Sequence, residues 1–164
     1  MTNILMVCLT SCNPNNVVWC ETNATDPDGW SSLQSIEFAL QPQDSALWLE
    51  QRPVTTTLSL RYTEECPERI VRLRIERESL DSICPPDTIT LELFNEDGSP
   101  NNDRNDNHLR GSIYHGHGLS LGVYEKRVIL SRSERVAPLM RIAVTPISAE
   151  PIRGVSHLTL LMQQ

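Results

Sequence analysis

The chain has 164 residues, 39% of them hydrophobic and 21% charged, with a net charge of −7. That length fits one domain with its own core, in no need of a metal or disulfide to hold it. The acidic balance excludes a general nucleic-acid binder, which presents a basic face, and no apolar run is long enough to span a membrane as a helix.

Eleven prolines are spread along the chain. They leave windows suited to short strands and few suited to long helices. The chain opens with an apolar stretch, Ile4 to Leu9, read as a first strand. Leu9-Thr10-Ser11-Cys12 has the form of a lipoprotein cleavage box, but no basic residue precedes it, so the strand reading is kept. Val17 to Glu21 is the next candidate, then Ser35 to Leu40, which sets Ile36, Phe38 and Leu40 on one face, and Ala46 to Leu49. Val54 to Tyr62 alternates most clearly: Val54, Thr56, Leu58, Leu60 and Tyr62 against Thr55, Thr57, Ser59 and Arg61.

Arg69 to Arg77 sets Val71, Leu73 and Ile75 against Arg72, Arg74 and Glu76. The spacing of Glu68/Arg72 and Arg72/Glu76 also suits helical ion pairs, with Pro67 placed to open a helix. Its β-branched content and short length favour a strand. Further strands are expected around Ile89, Leu91 and Leu93, over Ser112 to Val123, over Arg127 to Ser131 and around Met140, Ile142 and Val144. The last strand sets Leu158, Leu160 and Met162 against His157, Thr159 and Leu161. About ten strands with turn-rich connections predict an all-β, antiparallel β-sandwich, with the jelly roll as one form that fits the size, a single domain over 1–164 with little helix.

Few residues carry a chemical signature. In His115-Gly116-His117, two imidazoles on a strand point the same way and could share a metal, with His157 as a third ligand if the strands meet. The pair resembles that of cupin-type barrels, which implies a metal-dependent enzyme. Cupins place a glutamate a few residues on, whereas the next one here is Glu125, so histidines at a glycine-bent strand are the reading kept.

Asn95 to His108 invites calcium. Asp103, Asn105 and Asn107 have the spacing that begins an EF-hand loop, but the glycine of that motif is replaced by His108 and its twelfth position is Tyr114. An exposed polar loop without calcium is expected.

Trp19, Trp30 and Trp48 could stack on sugar rings if exposed, Trp30 at the end of the Asp26-Pro27-Asp28-Gly29 turn; core packing is the ordinary alternative. Asn23-Ala24-Thr25 fits a glycosylation acceptor. Cys8 and Cys20 could pair if the first two strands form a hairpin, while Cys66 and Cys84 stand too far apart. Reduced cysteines acting as small hydrophobes are expected. Arg61, Arg69, Arg72, Arg74 and Arg77, among Glu64, Glu65, Glu68, Glu76 and Glu78, read as a solvated, ion-paired face.

No nucleophile elbow, P-loop or dinucleotide fingerprint is present, and no cofactor is expected. These features favour a non-enzymatic assembly protein, such as a virus or phage capsid or capsid-associated subunit, binding other subunits in a virion or the cytoplasm. An extracellular sugar- or ligand-binding sandwich is the first alternative, and the cupin-like enzyme the second.

Overall fold

The computed structural model describes residues 17–40, 53–79, 82–101, 114–116, 119–135 and 140–164. These form ten strands: β1 (Val17–Ala24), β2 (Ile36–Ala39), β3 (Pro53–Thr63), β4 (Ile70–Ser79), β5 (Ser82–Glu92), β6 (Tyr114–Gly116), β7 (Leu119–Leu121), β8 (Val123–Arg135), β9 (Arg141–Pro146) and β10 (Val155–Gln163). There is no helix among the described residues. Residues 70–77 are strand because Val71, Leu73 and Ile75 are wanted on one buried face and partners lie on both sides, β5 and β9. The helical ion-pair spacing goes unused.

The connectivity is that of a rolled ribbon. β1 pairs with β10, β2 with β9, β3 with β8 and β4 with β5, as in one long hairpin. Rolling it brings β10 beside β3 and β9 beside β4. Two four-stranded antiparallel sheets result, β1-β10-β3-β8 and β2-β9-β4-β5. This is the jelly-roll order, two Greek keys wound into a sandwich. The segment expected as one strand over Ser112 to Val123 is instead the small β6–β7 ribbon and the start of β8, with Gly116 ending β6. The strands expected at Ile4–Leu9 and Ala46–Leu49 lie outside the described residues.

Alternation then builds the core. Leu58, Leu60 and Tyr62 of β3 and Leu158, Leu160 and Met162 of β10 meet Val71, Leu73 and Ile75 of β4 and Ile142 and Val144 of β9. Each such side chain, fully buried, contributes about 1.5–3 kcal/mol.

Candidate functional site

Three regions bear on function: the loops at one end of the sandwich, and the outer face of each sheet. At the loop end, the β1–β2, β3–β4 and β9–β10 connections and the segment after β5 lock together. Trp30 bridges Ile152 through paired backbone bonds of 2.9 and 3.0 Å. The Thr63 amide donates to the Gly154 carbonyl at 2.8 Å. The Tyr62 hydroxyl donates to the Leu93 carbonyl at 2.6 Å, and its ring meets Phe94 edge-on with centroids 5.4 Å apart. Tyr124 donates to Glu64 at 2.5 Å, a bond to a carboxylate that pushes its phenol up to about 12. These loops also hold much of the chain's acid: Asp26, Asp28, Glu64, Glu65, Glu68, Glu96, Asp97 and Glu150, against Arg69 and Arg153.

The outer face of β2-β9-β4-β5 is charged and closed by ion pairs. Arg141 of β9 donates to both carboxylate oxygens of Glu37 on β2, and at 3.0 Å to Glu78 on β4. These bonds raise its already high pKa further. Arg74 pairs with Glu76 at 2.5 Å, and Arg69 pairs with Glu92. This is a water-facing surface whose pairs each contribute little.

The outer face of β1-β10-β3-β8 has a different composition. Register alignment lays its side chains in rows across all four strands. One row is Cys20, Leu161, Thr57 and Ile129; the next is Thr22, Thr159, Ser59 and Arg127; the third is Ala24, His157, Arg61 and Glu125. Only three of these twelve are charged, all on the β3–β8 side. There Glu125 accepts from Arg127 at 2.8 Å, approaches Arg61 at 4.0 Å and also accepts from the Ser59 hydroxyl. Thr22 and Thr159 share a hydrogen bond of 2.8 Å. Ile129 is 41% exposed. Apart from His157, the remaining positions are small or apolar and uncharged.

The residues singled out from the sequence scatter over this frame. His157 lies in the third row, half-buried, with Nδ1 enclosed and lacking a partner among the described residues. Burial, and then Arg61 opposite, hold its imidazole below the ordinary value. His115 sits in the β6–β7 ribbon, a separate sheet, across from Ser120; His117 lies outside the described residues. Among the described residues no group of three metal-ligating side chains comes together. Asp103, Asn105 and Asn107 lie outside the described residues. The part of that loop that is described is exposed from Asn95 to Ser99, as expected.

Trp30 is 1% exposed, so it is no sugar platform. The Asp26-Pro27-Asp28-Gly29 turn does form, with Gly29 donating to the Asp26 carbonyl, but it aims the indole inward, where its Nε1 donates to the Gln34 carbonyl. Trp19 packs against the core from β1, and Trp48 lies outside the described residues. Asn23 of the glycosylation triplet donates at 3.0 Å to the Glu37 carbonyl, tying β1 to the other sheet. Cys66 is buried and Cys20 and Cys84 are exposed, while Cys8 lies outside the described residues. Of the clustered arginines, Arg77 departs from the solvated face: it reaches between the sheets to donate at 2.9 Å to the Leu130 carbonyl, beside the irregular pairing of β8. Sequence reasoning missed the uncharged face as a unit because its rows join strands far apart in the chain.

No family model matches the chain, and no curated protein does. Among solved structures it is similar to the structure of Eiger TNF from S. frugiperda, at 8% identity over 89% of this chain and 91% of that one, with a TM-score of 0.35. The jelly-roll assignment rests on the strand order.

Proposed function

We propose that this chain is a non-enzymatic structural protein that works by assembling with other subunits, in the specific form of a virus or phage capsid or capsid-associated subunit. The observation that carries the reading is the contrast between the two sheet faces. One is laced with solvated ion pairs. The other offers four strands whose aligned positions are mostly Thr, Ser, Ala, Cys, Leu and Ile, with His157 among them and with Arg61 and Arg127 sharing Glu125. A depletion of charge at the centre of a patch distinguishes contact surfaces from ordinary solvent-facing ones. Jelly rolls also serve as lectin and cupin domains, so the fold alone does not choose.

Light scattering set beside metal analysis of the purified protein tests this reading. A metal-free assembly, with itself or with a co-expressed partner chain, is the expected result. A metal-loaded monomer with one equivalent bound refutes it in favour of the histidine-based enzyme.

A further inference from the structure

We infer that copies of this chain join head to tail, the loop-end corner of one copy's β2-β9-β4-β5 face meeting β8 on the outer face of its neighbour's other sheet. The inference rests on the assembly reading and names its partner and its two surfaces.

Four large hydrophobic side chains stand exposed among the described residues: Leu33, Ile70, Ile129 and Ile147. Three of them share one corner. The Thr145 hydroxyl donates to the Ser35 hydroxyl at 3.1 Å, and Leu33 and Ile147 each lie two residues from that bond, toward the loop end. The Ile147 amide donates to the Arg72 carbonyl at 2.8 Å, and Ile70 lies two residues from Arg72 on the same side of β4. Leu33 is 93% exposed, yet its turn is tied down. Its amide donates to the Ser31 hydroxyl at 3.2 Å, and Gln34 donates from its amide to the Ser31 carbonyl and from its side chain to Asp26. An apolar group held in place beforehand gives up little freedom on binding. Exposed aliphatics scattered singly are ordinary, whereas a group of them marks a contact. Around this corner stand Asp26, Asp28, Glu68 and Glu150 against Arg72 and Arg153, so it is acidic.

Ile129 lies on the outer face of the opposite sheet, and the charge about it has the other sign. β8 carries Arg127, Arg132 and Arg135, with Arg61 beside it on β3, and its only carboxylates are Glu125 and Glu134. Lys126 turns inward to Asn101 and stands apart. One patch is thus aliphatic and acidic, the other aliphatic and basic, on opposite faces of one sandwich. Each complements the other and neither complements itself, so charge selects a second copy and fixes its orientation. At a net charge of −7, two copies meeting corner to corner repel. A contact between unlike patches is heterologous, and it leaves both ends of a pair free to add further copies.

Sedimentation velocity of the full chain over a range of concentrations tests this, with thermal melting as the check on folding and metal analysis alongside. Leu33→Lys sets a cation against the neighbour's arginines, and Ile129→Glu sets a carboxylate against the neighbour's acids. Both positions are exposed, so neither change disturbs the core. Thr88→Glu, exposed on β5, is the control. The expected result is a parent chain that grows past the dimer as concentration rises. Either variant raises the dissociation constant at least about tenfold, the loss of a central contact residue, and Thr88→Glu leaves it unchanged. Mixed in equal amounts, the two variants form a dimer of one copy of each and stop there, because each keeps the surface that the other has lost. An association indifferent to both variants, a parent that stops at the dimer, or a mixture that associates no better than either variant alone overturns the inference and leaves assembly through another surface. A metal-free parent monomer overturns it too, leaving only assembly with a different chain. A metal-loaded monomer overturns both readings.

Discussion

The tightest point in the loop end is Gly154, and replacing it with alanine is the sharpest probe of how that end is held. Gly154 has φ of 72°, in the left-handed region. A Cβ placed there would lie 2.4 Å from the Cys66 amide nitrogen and 2.8 Å from the Cys66 Cα. Backbone cannot swing aside as a flexible side chain can, so the β9–β10 and β3–β4 loops must part. Left-handed strain costs about 1–2 kcal/mol for a residue with a Cβ. Parting the loops also weakens the 2.8 Å bond from Thr63 to the Gly154 carbonyl, at about 1 kcal/mol, and loosens the buried Cys66. The expected loss is therefore at least about 2–3 kcal/mol, a large fraction of the stability of an ordinary domain. Gly98→Ala separates the two effects. Its φ is 79°, yet nothing lies within 4 Å of an added Cβ, so it carries the strain alone, about 1–2 kcal/mol. Urea denaturation of both variants, read from midpoints at constant slope, gives the comparison. If Gly154→Ala costs no more than Gly98→Ala, the close approach is not what holds the loops together.

Other consequences follow from single groups. Acid should destabilise the fold through His157, faced by Arg61 from β3, with Glu125 beyond it and Ala24 from β1. Its folded value lies below the ordinary 6.5, so its contribution is whole above that pH and is lost as pH falls through the folded value. His157→Leu should flatten the drop in urea midpoint between about pH 7.5 and about pH 5.5, and an unchanged drop would assign it to the carboxylates. Tyr62→Phe should cost about 1 kcal/mol through the lost bond to Leu93, measured by thermal melting. Thr56→Val should raise stability by about 1 kcal/mol, because the Thr56 hydroxyl is buried without a partner among the described residues. Among the three cysteines described, mass-mapped thiol labelling should modify Cys20 and Cys84 first. Cys66 should react only on unfolding, since burial raises its thiol and shields it.

Period-two alternation made the strands legible, because a half-buried strand must place apolar side chains on one side. That held for Val54 to Tyr62, for Leu158 to Met162 and for residues 69–77, where the alternation outweighed the helical charge spacing. The Asp26 to Gly29 turn was legible from its residue types. Pairing was not. Periodicity says which face of β10 is buried but not that β10 lies between β1 and β3, and the outer rows exist only once that order is set. Arg77, Lys126 and Asn23 were misplaced or overlooked for a related reason. Their polar tips reach between sheets, to the Leu130 carbonyl, the Asn101 side chain and the Glu37 carbonyl. The pattern carries no mark of where a sheet stops.

The edges of the sheets bear on the assembly reading proposed above. An open edge invites pairing with another chain unless something blunts it. Among the described residues the outermost strands are β1 and β8 in one sheet and β2 and β5 in the other. β2 is only four residues long. β5 carries Pro85 and Pro86 where its pairing with β4 skips between Ile75 and Arg77. β8 is the longest strand, but its register slips twice, on either side of Thr56. β1 slips near its start, between Val17 and Trp19. Lysine, the usual edge guard, is absent from this role: Lys126 takes the inward parity and donates to Asn101. Shortness, proline and bulges guard these edges in its place.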